Sequence, residues 1–208
     1  MTFGVLSTAA GIGLAQTIAL SLLTFTGASQ FAVVGVLAGG GTVAAALGSA
    51  LLLAARNGAY GLALSPSLGG GLTRRLAAAH LVIDESTAMA VGQEDAAHTE
   101  GAFWATGLSV FVFWNLGTVI GALGGQVIGD PAALGLDIAF PAGFLALLVP
   151  LLRGRGGRLA AASGALVAAV ALPFTPPGVP ILLATVGIVP GLLLGRRGDV
   201  RGGAGEPT

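Results

Sequence analysis

The 208-residue chain has no cysteine and no lysine, and only 9% of its residues are charged. The lack of cysteine excludes disulfides and thiol chemistry, and the lack of lysine excludes the Walker phosphate loop and Schiff-base chemistry. Nine arginines balance nine acidic residues, and no long basic block occurs, so we expect no nucleic-acid partner. Only two histidines occur, far apart at His80 and His98, so we expect neither a metal nor a cofactor.

Hydrophobic residues make up 54% of the chain, and the mean hydropathy is +0.91. Soluble domains are about one quarter charged, so this composition is typical of a membrane protein. Uncharged runs cover residues 1–55, 101–129 and 159–195. Each run is long enough to cross roughly 30 Å of hydrocarbon as a helix. The sequence therefore predicts a chain that crosses the membrane several times.

The pattern predicts an all-α polytopic membrane protein with about seven transmembrane or half-membrane helices, several of them broken or re-entrant. The apolar segments are 2–25, 31–55, 77–93, 102–128, 137–152, 159–172 and 179–195. The glycine run 38–42 interrupts one of them, which is typical of two half-helices that meet inside a bilayer. We expect residues 1–195 to form one helical transmembrane domain and 196–208 to be a disordered cytoplasmic tail.

Arginine-rich loops at 153–158 and 195–201 predict a cytoplasmic C-terminus, because cytoplasmic loops carry the excess of positive charge. If segment 77–93 crosses the membrane, Arg74 and Arg75 fall outside and conflict with that rule. Two alternatives remain: this segment is re-entrant, or a later broken segment does not cross.

Glycines repeat at intervals of four, for example at Gly117, Gly121 and Gly125. Such small-residue stripes let helix backbones approach closely in lipid. The alternative is that the stripes form a hinge or that a second polypeptide packs on them.

Two adjacent carboxylates, Asp84 and Glu85, lie in the middle of segment 77–93. A charge near a helix centre in lipid costs roughly 2.5 to 3.5 kcal/mol, so both should face protein or water. Neighbours on a helix point about 100° apart, so the two acids should have different partners. His80 should share a helical face with Asp84. One of the two acids is our candidate for a proton or ammonium site. The alternative is that the acids pair with nearby arginines: Arg56, Arg74 or Arg75.

Arg56 follows the uncharged N-terminal run, and Tyr60 lies one turn later on the same face. Arg56 is our candidate for binding a substrate carboxylate, with Asn57 and Tyr60 beside it; the alternative is that its side chain reaches from a helix end to the membrane interface.

Gln30 either binds substrate or bridges helices. Trp114 either lines a pocket or packs between helices.

Five stretches together resemble the AzlC family, the large subunit of bacterial branched-chain amino acid exporters of the LIV-E type. They are "TFTGASQF" (24–31), "RNGAYG" (56–61), "IDESTAMA" (83–90), "FWNLGTVIGALGG" (113–125) and "LGLDIAFPAGFLALLVPLL" (134–152). The resemblance implies ion-driven export of valine, isoleucine, leucine or methionine across the bacterial plasma membrane, and a small AzlD-type partner subunit. This sequence differs from the family pattern in two ways. Family members usually begin with an additional stretch, and they often have a histidine where this chain has the glycine after Asn57.

Three classes of function compete. A secondary transporter is favoured by the acids in apolar surroundings, by the broken helices and by the resemblance. A glycine-rich helical channel, or a carrier for another small solute, is the alternative. An intramembrane enzyme is not favoured, because the sequence has neither a G-x-S-x-G nor an H-E-x-x-H motif. We therefore expect a proton-coupled transporter subunit and no enzyme.

Overall fold

A computed structural model describes residues 1–128 and 135–193 of the chain. These residues form α-helices and no strand, so the all-helical prediction is confirmed; residues 188–193, after the last named element, are also helical. The helices are α1 (Thr2–Ala9), α2 (Leu14–Leu23), α3 (Ala28–Ala38), α4 (Val43–Leu64), α5 (Leu72–Leu81), α6 (Asp84–Val91), α7 (Ala96–Ile128), α8 (Leu136–Leu151), α9 (Arg155–Ala171) and α10 (Val179–Ala184). A 3₁₀ turn, Thr185–Gly187, follows α10. The predicted tail 196–208 lies outside the described residues.

The helices outnumber the predicted segments because several of those segments are broken. Segment 2–25 forms α1 and α2, and the connection contains Gly11 at φ +82°, a left-handed conformation that glycine adopts without strain. Segment 31–55 breaks at the glycine run, as predicted, with Gly40 at φ +79°. The Thr42 hydroxyl then caps α4 by accepting a hydrogen bond from the Ala45 amide at 3.2 Å.

Among the described residues, one stretch is both long and apolar enough to cross a membrane on its own, His98–Gly125 within α7. Three other apolar helices are shorter: Leu14–Leu23, Ala28–Ala38 and Val179–Leu193. Helix length therefore does not confirm the predicted count of seven spans.

Helix α7 is the central element, and α1 lies directly against its glycine stripe. A methyl group added to Gly121 would collide with the carbonyl oxygen of Met1, and one added to Gly4 would collide with the carbonyl oxygen of Thr118. Gly125 likewise lies against Thr8 and Val5 of α1. Small residues thus permit close backbone contact, as one of the two alternatives predicted. This stripe is covered by the chain itself and is not free for another polypeptide.

Helices α3, α4, α9 and α10 form a second group. The Ser49 hydroxyl on α4 donates to the Gly178 carbonyl at 3.4 Å, and the Ser163 hydroxyl on α9 donates to the Gly187 carbonyl at 2.8 Å. These bonds connect α4 and α9 to the segment that contains α10 and the 3₁₀ turn.

Two interruptions of the chain meet beside α7: residues 24–27 between α2 and α3, and residues 82–83 between α5 and α6. The Phe25 ring packs edge-on against Phe111 of α7, with 5.1 Å between centroids. His80, at the end of α5, lies 5.6 Å from Phe111 and 6.2 Å from Phe25. Helix interruptions that line such an interior are where membrane transporters expose backbone polar groups.

Candidate functional site

The interruption between α5 and α6 consists of two buried residues, Val82 and Ile83, in extended conformations. Ser86 stabilises the start of α6: its hydroxyl oxygen accepts a hydrogen bond from the Ile83 amide at 3.1 Å and donates to the Leu81 carbonyl at 2.7 Å. Segment 77–93 is therefore divided between α5 and α6. His80 and Asp84 lie on different helices, so the expectation that they share a helical face is wrong.

Asp84 is the first residue of α6 and forms an ion pair with Arg56 of α4. The distance from Arg56 Nη2 to Asp84 Oδ2 is 2.5 Å, and the side chains are 31% and 23% exposed. The negative charge also lies at the positive end of the α6 dipole, which stabilises it. Glu85 is exposed and forms no ion pair with a described residue, so the two acids do differ in their partners.

Asn57 and Tyr60 accompany Arg56 on the same helix. The Asn57 side-chain amide donates to the carbonyl of Val82 at 3.0 Å, which satisfies a backbone group that the helix break leaves free. Tyr60 lies one turn after Arg56 on α4 and close to Asp84. Two side chains of α4, Arg56 and Asn57, therefore hold the first residue of α6 and the break before it.

Two buried polar atoms of this site have no hydrogen-bond partner among the described residues: Arg56 Nε and the Thr87 hydroxyl oxygen. Asp84 contacts Nη2, and Nε has no partner among the described residues, although a guanidinium can bind a carboxylate with two parallel hydrogen bonds. A buried donor without a partner costs roughly 1 to 3 kcal/mol, more when it is charged. The site therefore retains donor capacity for a further acceptor.

The other two arginines considered as partners for the acids lie elsewhere. Arg74 pairs with Glu100 at 2.6 Å, and its guanidinium lies 5.8 Å from the centre of the Trp104 ring. Arg75 is exposed. Of the three arginines, Arg56 is the one that meets Asp84.

Gln30 is completely buried at the start of α3, where its side-chain nitrogen donates to the carbonyls of Leu20 at 3.0 Å and Ser21 at 3.3 Å. It therefore bridges α2 and α3, which was one of its two predicted roles. Its Oε1 has no partner among the described residues.

Trp114 packs with Phe3 and Phe31, at centroid distances of 6.2 and 6.0 Å, and also lines a cavity of about 180 Å³. The Trp114 side chain thus has both of its predicted roles: it packs against other side chains and it lines a cavity. Trp114 lies beside Gly27 of the first break, and Gln30 binds the end of the helix before it. At the second break, Asn57 contacts Val82 and Arg56 contacts the first residue that follows.

A buried group of uncharged polar side chains was not predicted: Ser21 on α2 with Asn115 and Thr118 on α7. The signal in the sequence was weak, because single Ser, Thr and Asn residues are common in apolar helices. Among the described residues, no group of three or more His, Asp and Glu side chains is close enough to hold a metal ion.

Charged groups held at helix breaks within an apolar helical protein indicate a membrane transport component. The comparison with known families agrees: the model of the AzlC protein family matches residues 1–128, more than half of the chain. The chain belongs to the AzlC family, a family of membrane transport proteins, not of enzymes.

A protein of Archaeoglobus fulgidus described as an uncharacterized membrane protein is 29% identical over 200 residues. The match covers 93% of this chain and 83% of that protein. No solved structure matches the chain.

Proposed function

We propose that this protein is the larger subunit of a bacterial plasma-membrane exporter for branched-chain and similar apolar amino acids, namely valine, isoleucine, leucine and methionine. In this proposal it works with a small AzlD-type subunit and is driven by protons. Membership of the AzlC family supports the transport class. The observation that carries the site is the Arg56–Asp84 ion pair at the α5–α6 break, in which the buried Arg56 Nε has no partner among the described residues.

The substrate carboxylate binds Arg56 in this proposal. The buried Nε of the guanidinium has no hydrogen-bond partner among the described residues. The buried Thr87 hydroxyl oxygen, beside the same helix break, also has none among them. A carboxylate that accepts from Nε and Nη2 satisfies the guanidinium with two hydrogen bonds in place of one. Binding thus uses donors that the protein has already removed from solvent, which favours a ligand that brings its own negative charge.

The ammonium group and the aliphatic side chain have partners in the same region. Asp84, displaced from Arg56 by the substrate carboxylate, is the acceptor for the ammonium group. The apolar side chain packs against the hydrophobic cluster that adjoins Tyr60 and includes Phe25 and Phe103. When the amino acid leaves, Asp84 either takes up a proton or returns to Arg56, and this choice couples substrate movement to a proton gradient.

The experiment is efflux of valine and methionine from dipeptide-loaded bacterial cells that lack their own exporters. The chain is expressed alone, with its small partner, and with that partner as Asp84→Asn or Glu85→Gln. Both substitutions remove one carboxylate, but Glu85 is exposed and unpaired with any described arginine, so it is the matched control. Membrane levels of every variant are measured on the same cells.

We expect efflux from the pair and from the Glu85→Gln pair, and loss of at least tenfold in the Asp84→Asn pair. Efflux unaffected by Asp84→Asn would contradict the proposed role of Asp84 in binding the ammonium group and the proton. An absence of valine and methionine efflux in all combinations, with both chains present in the membrane, would sink the substrate assignment. In that case conductance measurements on the same membranes would test the channel alternative.

A further inference from the structure

Helix α5 runs alongside α7 in the same direction, from the start of α7 towards its middle. Near the beginning of α5, Arg74 pairs with Glu100 at 2.6 Å. At the end of α5, Leu81 lies against Gly107, where an added methyl group would be 3.1 Å from Leu81 Cβ. The point of contact thus advances by the same distance on both helices, about 10 Å at 1.5 Å per residue. Helix α5 therefore enters the protein from the end at which α7 begins.

Helix α6 returns to the end from which α5 came. If α6 continued in the direction of α5, its last residue, Val91, would lie roughly 28 Å from Ala96, the first residue of α7. The connection 92–95 can span at most roughly 18 Å, even when it is fully extended. Helices α5 and α6 therefore form a hairpin that enters and leaves at the beginning of α7, and the break at Val82 and Ile83 is its tip.

Helix α2 runs in the opposite direction, from the far end of α7 towards its middle. The Ser21 hydroxyl on α2 is 3.2 Å from the Thr118 hydroxyl on α7. One turn further along the chain, the Phe25 ring packs on Phe111, with 5.1 Å between centroids. Later residues of this segment thus meet earlier residues of α7, so α2 and α7 are antiparallel.

The position of α4 shows where α3 ends. Helix α4 meets the tip of the α5–α6 hairpin through Asn57, and Leu64, at its end, belongs to the same buried cluster as Phe103 near the start of α7. Helix α4 is therefore antiparallel to α7, and its first residue, Val43, lies about 21 Å before Asn57, towards the far end of α7. The short connection 39–42 brings the end of α3 to the same place. Helices α2 and α3 therefore form a second hairpin, which enters and leaves at the far end of α7.

The two breaks are stabilised in the same way, by the third residue of the helix that follows. Gln30, the third residue of α3, donates to the Leu20 carbonyl at 3.0 Å. Ser86, the third residue of α6, donates to the Leu81 carbonyl at 2.7 Å. Both carbonyls belong to the last turn of the helix before the break, where partners within the helix are missing. Equivalent positions in the two hairpins thus have equivalent partners.

We infer that residues 14–64 and 72–128 form an inverted repeat, in which each half consists of a re-entrant hairpin followed by a long helix, α4 or α7. The two hairpins enter from opposite faces of the membrane, and their tips meet at its midplane. At the meeting point, Phe25 of the first half lies 6.2 Å from His80 of the second half. Both rings pack on Phe111, in the middle of the apolar stretch of α7. This inference goes beyond the proposed function and does not depend on which solute is carried.

The repeat explains two features of the protein. Arg56 belongs to the first half and Asp84 to the second, so their ion pair joins the two halves at the midplane. Transporters built from inverted repeats bind substrate and coupling ion at such a boundary, and they alternate access by moving one half against the other. A re-entrant α5–α6 hairpin also places Arg74 and Arg75 on the same face of the membrane as 92–95, which removes their conflict with the positive-inside rule.

The chain lacks cysteine, so the sidedness of each hairpin can be measured with single cysteines in the full chain. Gly69→Cys and Glu94→Cys flank the α5–α6 hairpin, and Gly13→Cys and Gly39→Cys flank the α2–α3 hairpin. All four positions are exposed, and a methyl group added to any of the three glycines stays at least 3.4 Å from its neighbours. Each variant is labelled with a membrane-impermeant maleimide on intact spheroplasts and on inverted membrane vesicles, which expose the cytoplasmic face. The control is the completely buried Ser49→Cys, which should react from neither face.

We expect the two cysteines that flank α5–α6 to react from one face only, the cytoplasmic face expected for Arg74 and Arg75. The two cysteines that flank α2–α3 should react only from the other face. A flanking pair that reacts from opposite faces would show that its hairpin crosses the membrane, and four cysteines that react from one face would show that the hairpins are not inverted. Either result would overturn the inference.

Labelling is measured relative to a permeable maleimide applied after denaturation, which counts every cysteine present. A variant that does not reach the membrane is replaced by Gly71→Cys or Ala38→Cys, at exposed positions beside the same hairpins. The labelling pattern does not require transport. Failure of the repeat and failure of the proposed amino acid export are therefore distinguishable.

Discussion

Arg56 and Asp84, 28 positions apart in the sequence, meet through one contact of 2.5 Å between Nη2 and Oδ2. The contact joins the middle of α4 to the first residue of α6. It therefore connects the helix that carries the candidate carboxylate-binding group to a helix that begins at a break in the chain.

Replacing Arg56 by lysine should reduce amino acid efflux about tenfold or more while the protein still folds. Lysine keeps the charge but loses Nε and the planar fork, so it cannot bind a carboxylate through two parallel hydrogen bonds. The measurement is efflux at matched membrane levels. Arg74→Lys is the control, because Arg74 forms an exposed pair with Glu100 and should tolerate lysine. Equal efflux from both variants would contradict the assigned role of Arg56.

Asn57→Ala should lower the melting temperature of the purified protein. The substitution leaves the Val82 carbonyl without its donor, and losing such a bond costs roughly 1 to 3 kcal/mol. The control is Gln93→Ala, since the Gln93 side chain, just after the end of α6, donates to the nearby carbonyl of Met89 in an exposed hydrogen bond. A melting temperature that falls no further for Asn57→Ala than for Gln93→Ala would show that Asn57 does not support the break.

Gly121→Ala should destabilise the protein by about 1 to 3 kcal/mol, because the added methyl group collides with the backbone of α1. Gly124→Ala on the same helix is the control. A methyl group there meets nothing within 4 Å, so alanine should be neutral or stabilising through its higher helix propensity. Thermal unfolding of the two variants in one detergent measures the difference. Similar melting temperatures would argue against the close contact of α1 with α7.

Ser86→Ala should destabilise α6 by roughly 0.5 to 2 kcal/mol, the usual cost of losing a helix cap. Because Asp84 begins the same helix, efflux should fall together with stability. Ser65→Ala is the comparison, since the exposed Ser65 hydroxyl only donates to a carbonyl three residues earlier. If hydrogen exchange at the start of α6 is equally fast in both variants, Ser86 is not the cap.

The sequence predicted the position of the break at 39–42 but not the position of the break at Val82 and Ile83, for a physical reason. The break at 39–42 is local: consecutive glycines disfavour a helix, and Gly40 adopts a left-handed conformation. The break at Val82 and Ile83 is not local, because these apolar residues continue the helical pattern of their surroundings. It depends on the Ser86 cap and on Asn57, a side chain from α4. Contacts between distant segments cannot be seen in hydrophobic periodicity alone.

Much the same holds for the candidate site. The cost of a charge in lipid made Arg56 and Asp84 conspicuous, and Arg56 was among the predicted partners of the acids. Sequence reasoning could not choose among the three arginines, since only the fold brings α4 to the start of α6. The cluster of Ser21, Asn115 and Thr118 was not predicted, because its members are uncharged and are distant in the sequence. Only the packing of α2 against α7 brings them together.

The opposite charges of Arg56 and Asp84 also determine how the membrane potential acts on the site. The ion pair has no net charge, and a zwitterionic amino acid that binds it adds none. A voltage does work of about 2.3 kcal/mol per elementary charge per 100 mV, and on a site with zero net charge that work vanishes. In the proposed exporter, voltage therefore acts at this position only through the coupling ion.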